Sequence, residues 1–364
     1  MKKSLLALAV LGAFAGVASA QSSVSLYGTV DLSAKYVKND GSVRRLSLSQ
    51  DGINSSQLGF KGTEDLGGGL KAGFVLLSGI NADTGTANAK FWNRRSTVSL
   101  WGNFGEIRLG RDYTPTFWNN TIFDAFGTNG LGDSTHVQQI ASAASYGLTG
   151  ANATTFGTVG LNTTFVRADN SIGYFLPSNI GGVYGQFMAA ASEGAATNPG
   201  RYLGGRIGFA AGPFDVAVAY AQQRLDLFDG KQKVFNIGGS YDLGVVKLLG
   251  YFAQDKVDAA GFIAKENRYS ISGVVPLGQG EIHASYSHSK LTNDLGFTDD
   301  SKVGQLALGY VYNLSKRTAV YSTVSRVDNN GAARNSVTSG TAQTAAPTAD
   351  GKSTGVEFGL RHFF

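Results

Sequence analysis

The sequence predicts an all-β fold, namely an antiparallel transmembrane β-barrel of about sixteen strands. Three observations lead to this prediction. Apolar and polar residues alternate one by one in many successive segments, which is the period of a strand with one apolar and one polar face. The connections between these segments alternate between short and long. The amino terminus has the features of an export signal.

Residues 1–20 are predicted to be a signal peptide that is removed from the mature chain. Two lysines form its basic end, residues 5–17 its apolar segment, and small residues at 18–20 its cleavage site. A membrane anchor is the alternative interpretation, but the apolar segment is short and ends in a cleavage motif. The mature chain, 21–364, is predicted to form one barrel domain.

The composition agrees with many paired strands and disfavours several other classes of protein. Glycine (50) greatly exceeds proline (6), as expected where long strands are joined by tight turns. No segment after the signal has the run of about 18 apolar residues that a spanning helix needs. Cysteine is absent, which is unlike a secreted module held together by disulfides. The net charge of +5 is too small and too dispersed to indicate a nucleic-acid partner.

The strand candidates follow one another from residue 24 to the carboxy terminus. In the first, 24–37, Leu26 and Leu32 fall on the apolar face, while Asp31 and Lys35 fall on the polar face. The others are 56–63, 70–80, 94–103, 106–110, 170–176, 183–192, 202–211, 214–225, 233–243, 245–256, 267–277, 281–291, 303–314, 318–327 and 354–364. A soluble sandwich would bury the apolar face against a second sheet, whereas a barrel turns it to lipid and keeps water inside. A barrel of about sixteen strands is wide enough for an aqueous channel.

The connections indicate how the predicted barrel is oriented. The short ones lie at 103–105, 212–213, 243–244, 277–280 and 314–317. The longer, more polar ones lie near 40–54, 82–93, 194–201, 226–232, 257–266, 292–301 and 329–353. Outer-membrane barrels have short periplasmic turns and longer external loops. We therefore predict a multi-pass protein of the outer membrane, in contact with the lipid bilayer.

The alternation stops over about 111–145, in the longest interruption of the pattern. This segment combines aromatic residues with two acids and several glycines. A run of roughly thirty residues without regular structure inside a compact fold is usually functional. We interpret it as a loop that folds into the bore of the barrel and narrows it.

Several stretches resemble the Gram-negative general porin family, in particular its β-proteobacterial branch. They are SSVSLYGTVDLSAKY, SSQLGFKGTEDLGGGLKAGF, FWNRRSTVSLWGNFGEIRLGRDYTP, NSIGYFLP and the terminal GVEFGLRHFF. The resemblance covers essentially the whole mature chain. It implies a sixteen-stranded barrel, usually a homotrimer, whose third external loop folds inward to form the constriction, and it implies passive passage of small hydrophilic solutes and ions.

A channel of this kind selects solutes where charge and width are most restrictive. Bases on the barrel wall facing acids on the inward loop would create a transverse field there. The predicted wall residues are Lys61, Arg95, Arg108, Lys35 and Arg167. The predicted loop residues are Asp124, Asp133, Phe117 and Trp118. Related porins often have arginine at the positions of Gln57 and Gly173, so we expect only a weak preference for anions.

Two alternatives remain open at this point. One is a substrate-selective channel of the same fold, tuned by the loop aromatics. The other is a barrel that only anchors an adhesin or an enzyme. No catalytic constellation stands out: the four histidines lack convincing metal-ligand spacing, and no cofactor or metal is expected. The sequence therefore predicts that the protein is not an enzyme.

Overall fold

The computed structural model describes residues 23–140, 166–192, 201–224, 230–259, 262–293, 300–338 and 346–364. The predicted signal peptide, 1–20, lies outside the described residues. The same holds for 141–145, the last part of the predicted inward loop. Within the described residues, no helix combines the length and the hydrophobicity that a membrane-spanning helix requires.

Strands dominate the structure, and nearly all of them belong to one sheet. In chain order they are β1 (Ser23–Asn39), β2 (Arg45–Gln50), β3 (Gln57–Gly67), β4 (Leu70–Asn81), β5 (Thr86–Ala87), β6 (Arg95–Gly102), β7 (Gly105–Tyr113), β8 (Arg167–Phe175), β9 (Val183–Ala190), β10 (Tyr202–Ala211), β11 (Phe214–Arg224), β12 (Lys231–Asp242), β13 (Lys247–Ala259), β14 (Phe262–Leu277), β15 (Gly280–Asn293), β16 (Ser301–Asn313), β17 (Thr318–Asn330) and β18 (Lys352–Phe363). In the described part of the connection after β7 lie an α-helix, α1 (Pro115–Ile122), and two 3₁₀ turns, Gly130–Gly132 and Ser134–Val137.

The sheet closes on itself because β1 pairs with β18 as well as with the strands that follow it. Every pairing is antiparallel. The strands β2 and β3 pair with successive halves of β1 and together make one crossing, while the two-residue β5 pairs only with the loop end of β4. The result is a closed barrel of 16 antiparallel strands, which confirms the predicted fold class.

The first long connection differs from the prediction. Residues 40–54 were expected to form a loop, but β2 occupies much of that range. After β2 the chain leaves the sheet at Asp51 and returns at Gln57. The carboxylate of Asp31 on β1 accepts hydrogen bonds from the backbone of Gly52, Ile53 and Asn54 at 3.3, 3.0 and 2.7 Å. A buried acid therefore stabilises the interruption, and the alternating pattern cannot show this because the acid lies on another strand.

The two faces of the barrel are divided as the alternation predicts. Outward side chains are mostly apolar and exposed, for example Leu26 at 57% and Ile172 at 60%. Inward side chains such as Asp31 and Ser33 are polar and buried against their neighbours. The longest connections follow β4, β7, β9 and β17 and lie at one end of the barrel, as predicted. The long loop predicted near 257–266 is wrong, because β13 extends to Ala259 and β14 begins at Phe262. Water can line the interior and lipid the exterior.

Candidate functional site

The segment after β7 turns into the barrel through a capped helix. The side-chain oxygen of Thr114 accepts a hydrogen bond from the backbone N–H of Phe117 at 3.3 Å, and Pro115 occupies the first turn of α1. A hydroxyl cap followed by proline is a common start of a helix. We predicted an irregular loop here, so the helix is a correction. Its start signal, Thr-Pro, was present in the sequence.

Three apolar side chains of this segment rest on glycines or small residues of the inner wall. Phe123 lies over Gly238 of β12, where an added Cβ would come within 2.2 Å of its ring. Phe126 lies over Gly309 of β16, and Leu131 over Gly355 of β18, with corresponding distances of 2.9 and 3.0 Å. The wall positions must be glycine for the loop to approach this closely. The inward loop, defined here as residues 114–140, therefore lies inside the barrel.

Hydrogen bonds from wall side chains hold the backbone of the inward loop. The buried carboxylate of Glu266 on β14 accepts from the N–H groups of Gln139 and Ile140, both at 2.9 Å. Glu357 on β18 accepts from the N–H of Leu131 at 3.2 Å. The amide nitrogen of Asn236 on β12 donates to the carbonyl oxygen of Thr116 at 3.0 Å. These bonds satisfy loop groups that would otherwise be buried without partners.

The two predicted loop acids bind their own loop. Asp124 accepts hydrogen bonds from the N–H groups of Phe126, Thr128 and Ser134 at 2.9 to 3.1 Å and from the hydroxyl of Ser134 at 2.8 Å. Burial, with a smaller effect of Asp133, raises the pKa of Asp124 to about 6. Asp133 accepts from the N–H of Thr135 at 2.7 Å, and burial raises the pKa of its carboxyl as well. Both side chains are less than 10% exposed, so their charges do not lie on the open surface of the loop.

The predicted loop aromatics differ in exposure. Phe117 is buried against Val234 of β12 and stacks on Tyr113, with ring centres 5.3 Å apart. Trp118 also stacks on Tyr113 at 5.3 Å but is only half-buried, and the guanidinium of Arg206 lies 5.9 Å from its ring centre. Phe117 thus attaches the loop to the wall, whereas Trp118 borders the open bore.

Three of the five predicted wall bases come together. Lys61, Arg95 and Arg108 line one cavity of about 390 Å³ near the short-turn end. Arg108 pairs with Glu106 at 2.8 Å and with Asp112 at 2.5 Å, and Arg95 lies 3.4 Å from Asp112. The ammonium of Lys61 is exposed and lies 5.4 Å from the centre of the Tyr27 ring. The strands β3, β6 and β7 are neighbours or near neighbours in the sheet, which explains this grouping.

The other two predicted wall bases lie apart from that group. Lys35 on β1 is only 6% exposed, and its Nζ lies 3.6 Å from Glu357. It lines a separate polar cavity of about 250 Å³ between the wall and the inward loop. Arg167, at the start of β8, packs over Tyr113 at 4.3 Å and donates to its hydroxyl at 2.7 Å. Their roles in selecting solutes, like those of the first three bases, stay predictions.

Two further arginines were missed in the sequence. Arg94 lies 3.4 Å from Asp51, and Arg111 pairs with Asp169 at 2.7 Å. Strict alternation would place Arg94 and Arg111 on the outward face, because Arg95 and Arg108 are on the inward one. Arg94 escapes that rule because β6 begins only at Arg95, and Arg111 escapes it because β7 has an irregularity between Gly110 and Asp112. An irregular ladder shifts which side chains point inward, and the sequence gives little sign of it.

Possible sites for a metal ion were also considered. Among the residues that the structure describes, no group of three histidines, aspartates and glutamates is arranged to hold one. Buried acids of the interior such as Asp31, Glu266 and Glu357 instead accept hydrogen bonds from backbone N–H groups.

Comparisons with known proteins agree with this geometry. A family model described as Gram-negative porin matches residues 7–332. The chain is 40% identical to outer membrane porin protein 32 of Delftia acidovorans and 30% identical to an outer membrane porin protein of Bordetella pertussis, over the full length of both chains in each case. The solved structure of an anion-selective porin from Comamonas acidovorans superposes with a TM-score of 0.80 at 36% identity, covering 94% of this chain and 100% of that one. The predicted family and outer-membrane location are thereby confirmed, and the chain belongs to the Gram-negative porin family.

Proposed function

We propose that the barrel is a passive channel for small hydrophilic solutes and ions with a weak preference for anions, and that the protein is not an enzyme. The preference for anions is supported by a difference between the acids of the inward loop and the bases of the barrel wall. The described part of the inward loop has two acids, Asp124 and Asp133, and both are buried in hydrogen bonds within the loop. The wall opposite has several bases, so the field at the opening is set by the wall.

The basic wall is only partly neutralised. Asp112 and Glu106 are paired with Arg95 and Arg108, and Asp215 lies near Arg206. Lys61 and Arg167 then leave a small positive excess. A small excess supports a weak preference. The porin from Comamonas acidovorans is described as anion-selective, and its similarity over the whole barrel supports the same sign for this chain. The family resemblance also supports a homotrimer.

The test is the reversal potential of the purified protein in a planar bilayer under a KCl gradient. The wild-type protein should show a reversal potential of the sign that anion preference gives. The double variant Lys61→Gln with Arg95→Gln should shift toward cations, because two positive charges leave the lumen. A matched control removes two outward-facing bases, Lys38→Gln with Lys302→Gln, and should shift nothing.

Two outcomes would contradict the proposal. If the double variant and the control give the same reversal potential as the wild type, the wall bases do not set selectivity. If the purified protein gives no stepwise current at all, the barrel is an anchor rather than a channel. Saturable block by one particular solute, added at increasing concentration, would indicate a substrate-selective channel in place of a general one.

A further inference from the structure

The outer wall of the barrel has an apolar groove over β8–β11. Its volume is about 810 Å³, and its lining is mostly hydrophobic. The main lining side chains are Ile172, Phe187, Ala189, Leu203, Ile207 and Tyr220. The groove exists because Ala189 and Gly205, on neighbouring strands, put little side chain between the larger residues. Ile172, Phe187 and Leu203 are exposed at 60, 57 and 67%.

A second cavity continues this groove toward the long-loop end of the barrel. It measures about 310 Å³ and shares Ala189, Leu203 and Gln222 with the groove. Its lining adds three bases, Arg201, Arg224 and Lys231.

The ladder keeps these three bases close together. The N–H of Arg224 donates to the carbonyl oxygen of Arg201 at 2.9 Å, and Arg224 lies directly opposite Lys231. Adjacent strands are about 4.8 Å apart, so the three side chains start from neighbouring points. On the described part of β13, Asp258 lies opposite Lys231.

More bases continue the same row along the outer face. Lys233 of β12 lies opposite Lys256 of β13, which in turn lies opposite Lys265 of β14. In outer-membrane barrels the long loops are external, so this row lies at the height of the outer-leaflet headgroups. Anionic headgroups attract basic residues at a membrane surface.

We propose that the groove and its basic rim bind a phosphorylated, acylated glycolipid of the outer leaflet. Acyl chains would occupy the apolar groove, and a phosphate would bind Arg201, Arg224 and Lys231. Two features favour a lipid over a second copy of this chain. The apolar part and the cationic part are arranged in the order of a lipid with chains toward the membrane centre and phosphate at its surface. A second copy would have to bury Arg201 and Lys231, which are exposed, and this costs desolvation free energy.

The experiment measures binding of hexa-acylated lipid A carrying two phosphates to the full-length mature protein in detergent, by native mass spectrometry across a lipid titration. The triple variant Arg201→Gln, Arg224→Gln, Lys231→Gln should bind on the order of tenfold to a hundredfold more weakly. Dephosphorylated lipid A should bind the wild-type and the triple variant equally. These side chains face outward, so single-channel conductance should stay unchanged, which separates this proposal from that of the channel function.

A matched control removes three outward-facing bases on the other side of the same rim, Lys38→Gln, Arg326→Gln, Lys352→Gln, and should bind lipid A like the wild type. The variant Ala189→Phe fills the groove and should weaken binding of phosphorylated and dephosphorylated lipid A alike. Three results would overturn the site. The two triple variants could lose binding equally, Ala189→Phe could bind normally, or Ala189→Phe could change the oligomeric state, which would assign the groove to a subunit interface.

Discussion

The inner wall of the barrel has two regions. Both follow the alternation of inward polar and outward apolar residues, but their inward side chains have different roles. Along β11–β18 the wall holds the inward loop, with glycine or alanine beneath its apolar side chains and buried acids on its N–H groups. Along β3–β8 the wall carries Lys61, Arg95 and Arg108 around an open cavity. The first region, called the seat below, supports the inward loop. The second is a charged surface that solutes can reach.

A single pair of bases illustrates the difference. Arg268, in the seat, is 3% exposed and pairs with Asp255 at 2.8 Å, close to Glu266. Lys61, on the open side, is exposed to the lumen. A buried, paired charge serves mainly the local structure, whereas an exposed one contributes to the field in the water-filled bore. The position of a base relative to the loop therefore decides its role, and the residue type does not.

The largest expected effect comes from adding a side chain to the wall beneath the inward loop. Gly238→Val places a side chain where Cβ alone would lie 2.2 Å from Phe123, so the loop must leave its position. Overpacking of this kind costs about 1–3 kcal/mol, and displacement of the loop toward the open side should lower the single-channel conductance. The control is Gly250→Val on β13, where nothing lies within 4 Å of an added Cβ. Equal conductance in the two variants would show that the loop does not depend on this seat.

A smaller effect is expected from one polar anchor. Glu266→Gln replaces one carboxylate oxygen by an NH2 group. Only one acceptor oxygen then remains for the N–H groups of Gln139 and Ile140. A buried N–H without a partner costs about 1–3 kcal/mol. We expect faster hydrogen exchange at Ile140 and more current noise, with the mean ion selectivity unchanged. The matched variant Glu64→Gln, on the exposed short-turn end of β3, should change neither. Selectivity altered by Glu266→Gln would mean that the seat also acts as a filter.

The alternating pattern, together with the connection lengths and the export signal, predicted the barrel. Each of the sixteen crossings exposes one apolar face to lipid, so apolar residues recur at every second position in each strand. The inward loop was found for the opposite reason, because its pattern breaks. Lys61, Arg95 and Arg108 could be placed on the lumen side since each lies within a regular strand.

The sequence was less informative where a contact joins distant parts of the chain. Nothing near Asp31 shows that it accepts bonds from 52–54, so β2 was mistaken for loop. Glycines such as Gly238 look like ordinary strand residues until Phe123, over a hundred positions away, is placed on them. Asp124 was expected to face the wall bases, but only the fold of its own loop shows how many N–H groups surround it.

The smallest expected effect concerns the charge of Asp124. Its pKa in the folded protein is about 6, above the ordinary value of 3.8. For a carboxyl with a raised pKa, the folded state binds the proton more readily, so stability falls as pH rises from about 4 to 6 and changes little above that range. Asp124→Asn cannot ionise and should remove this dependence. Hydrogen exchange at Thr128 and Ser134, corrected for the intrinsic effect of pH, should show a pH-dependent difference between the two proteins.

The same variant separates the two regions of the wall at neutral pH. If Asp124 only organises the loop, Asp124→Asn leaves the reversal potential in a KCl gradient unchanged at pH 7, while Lys61→Gln with Arg95→Gln shifts it. Because the carboxylate is 6% exposed and accepts four hydrogen bonds, its charge is screened from the bore by its own donors. A shift toward anions in Asp124→Asn, comparable in size to the opposite shift from the wall variant, would show instead that loop and wall create the field together.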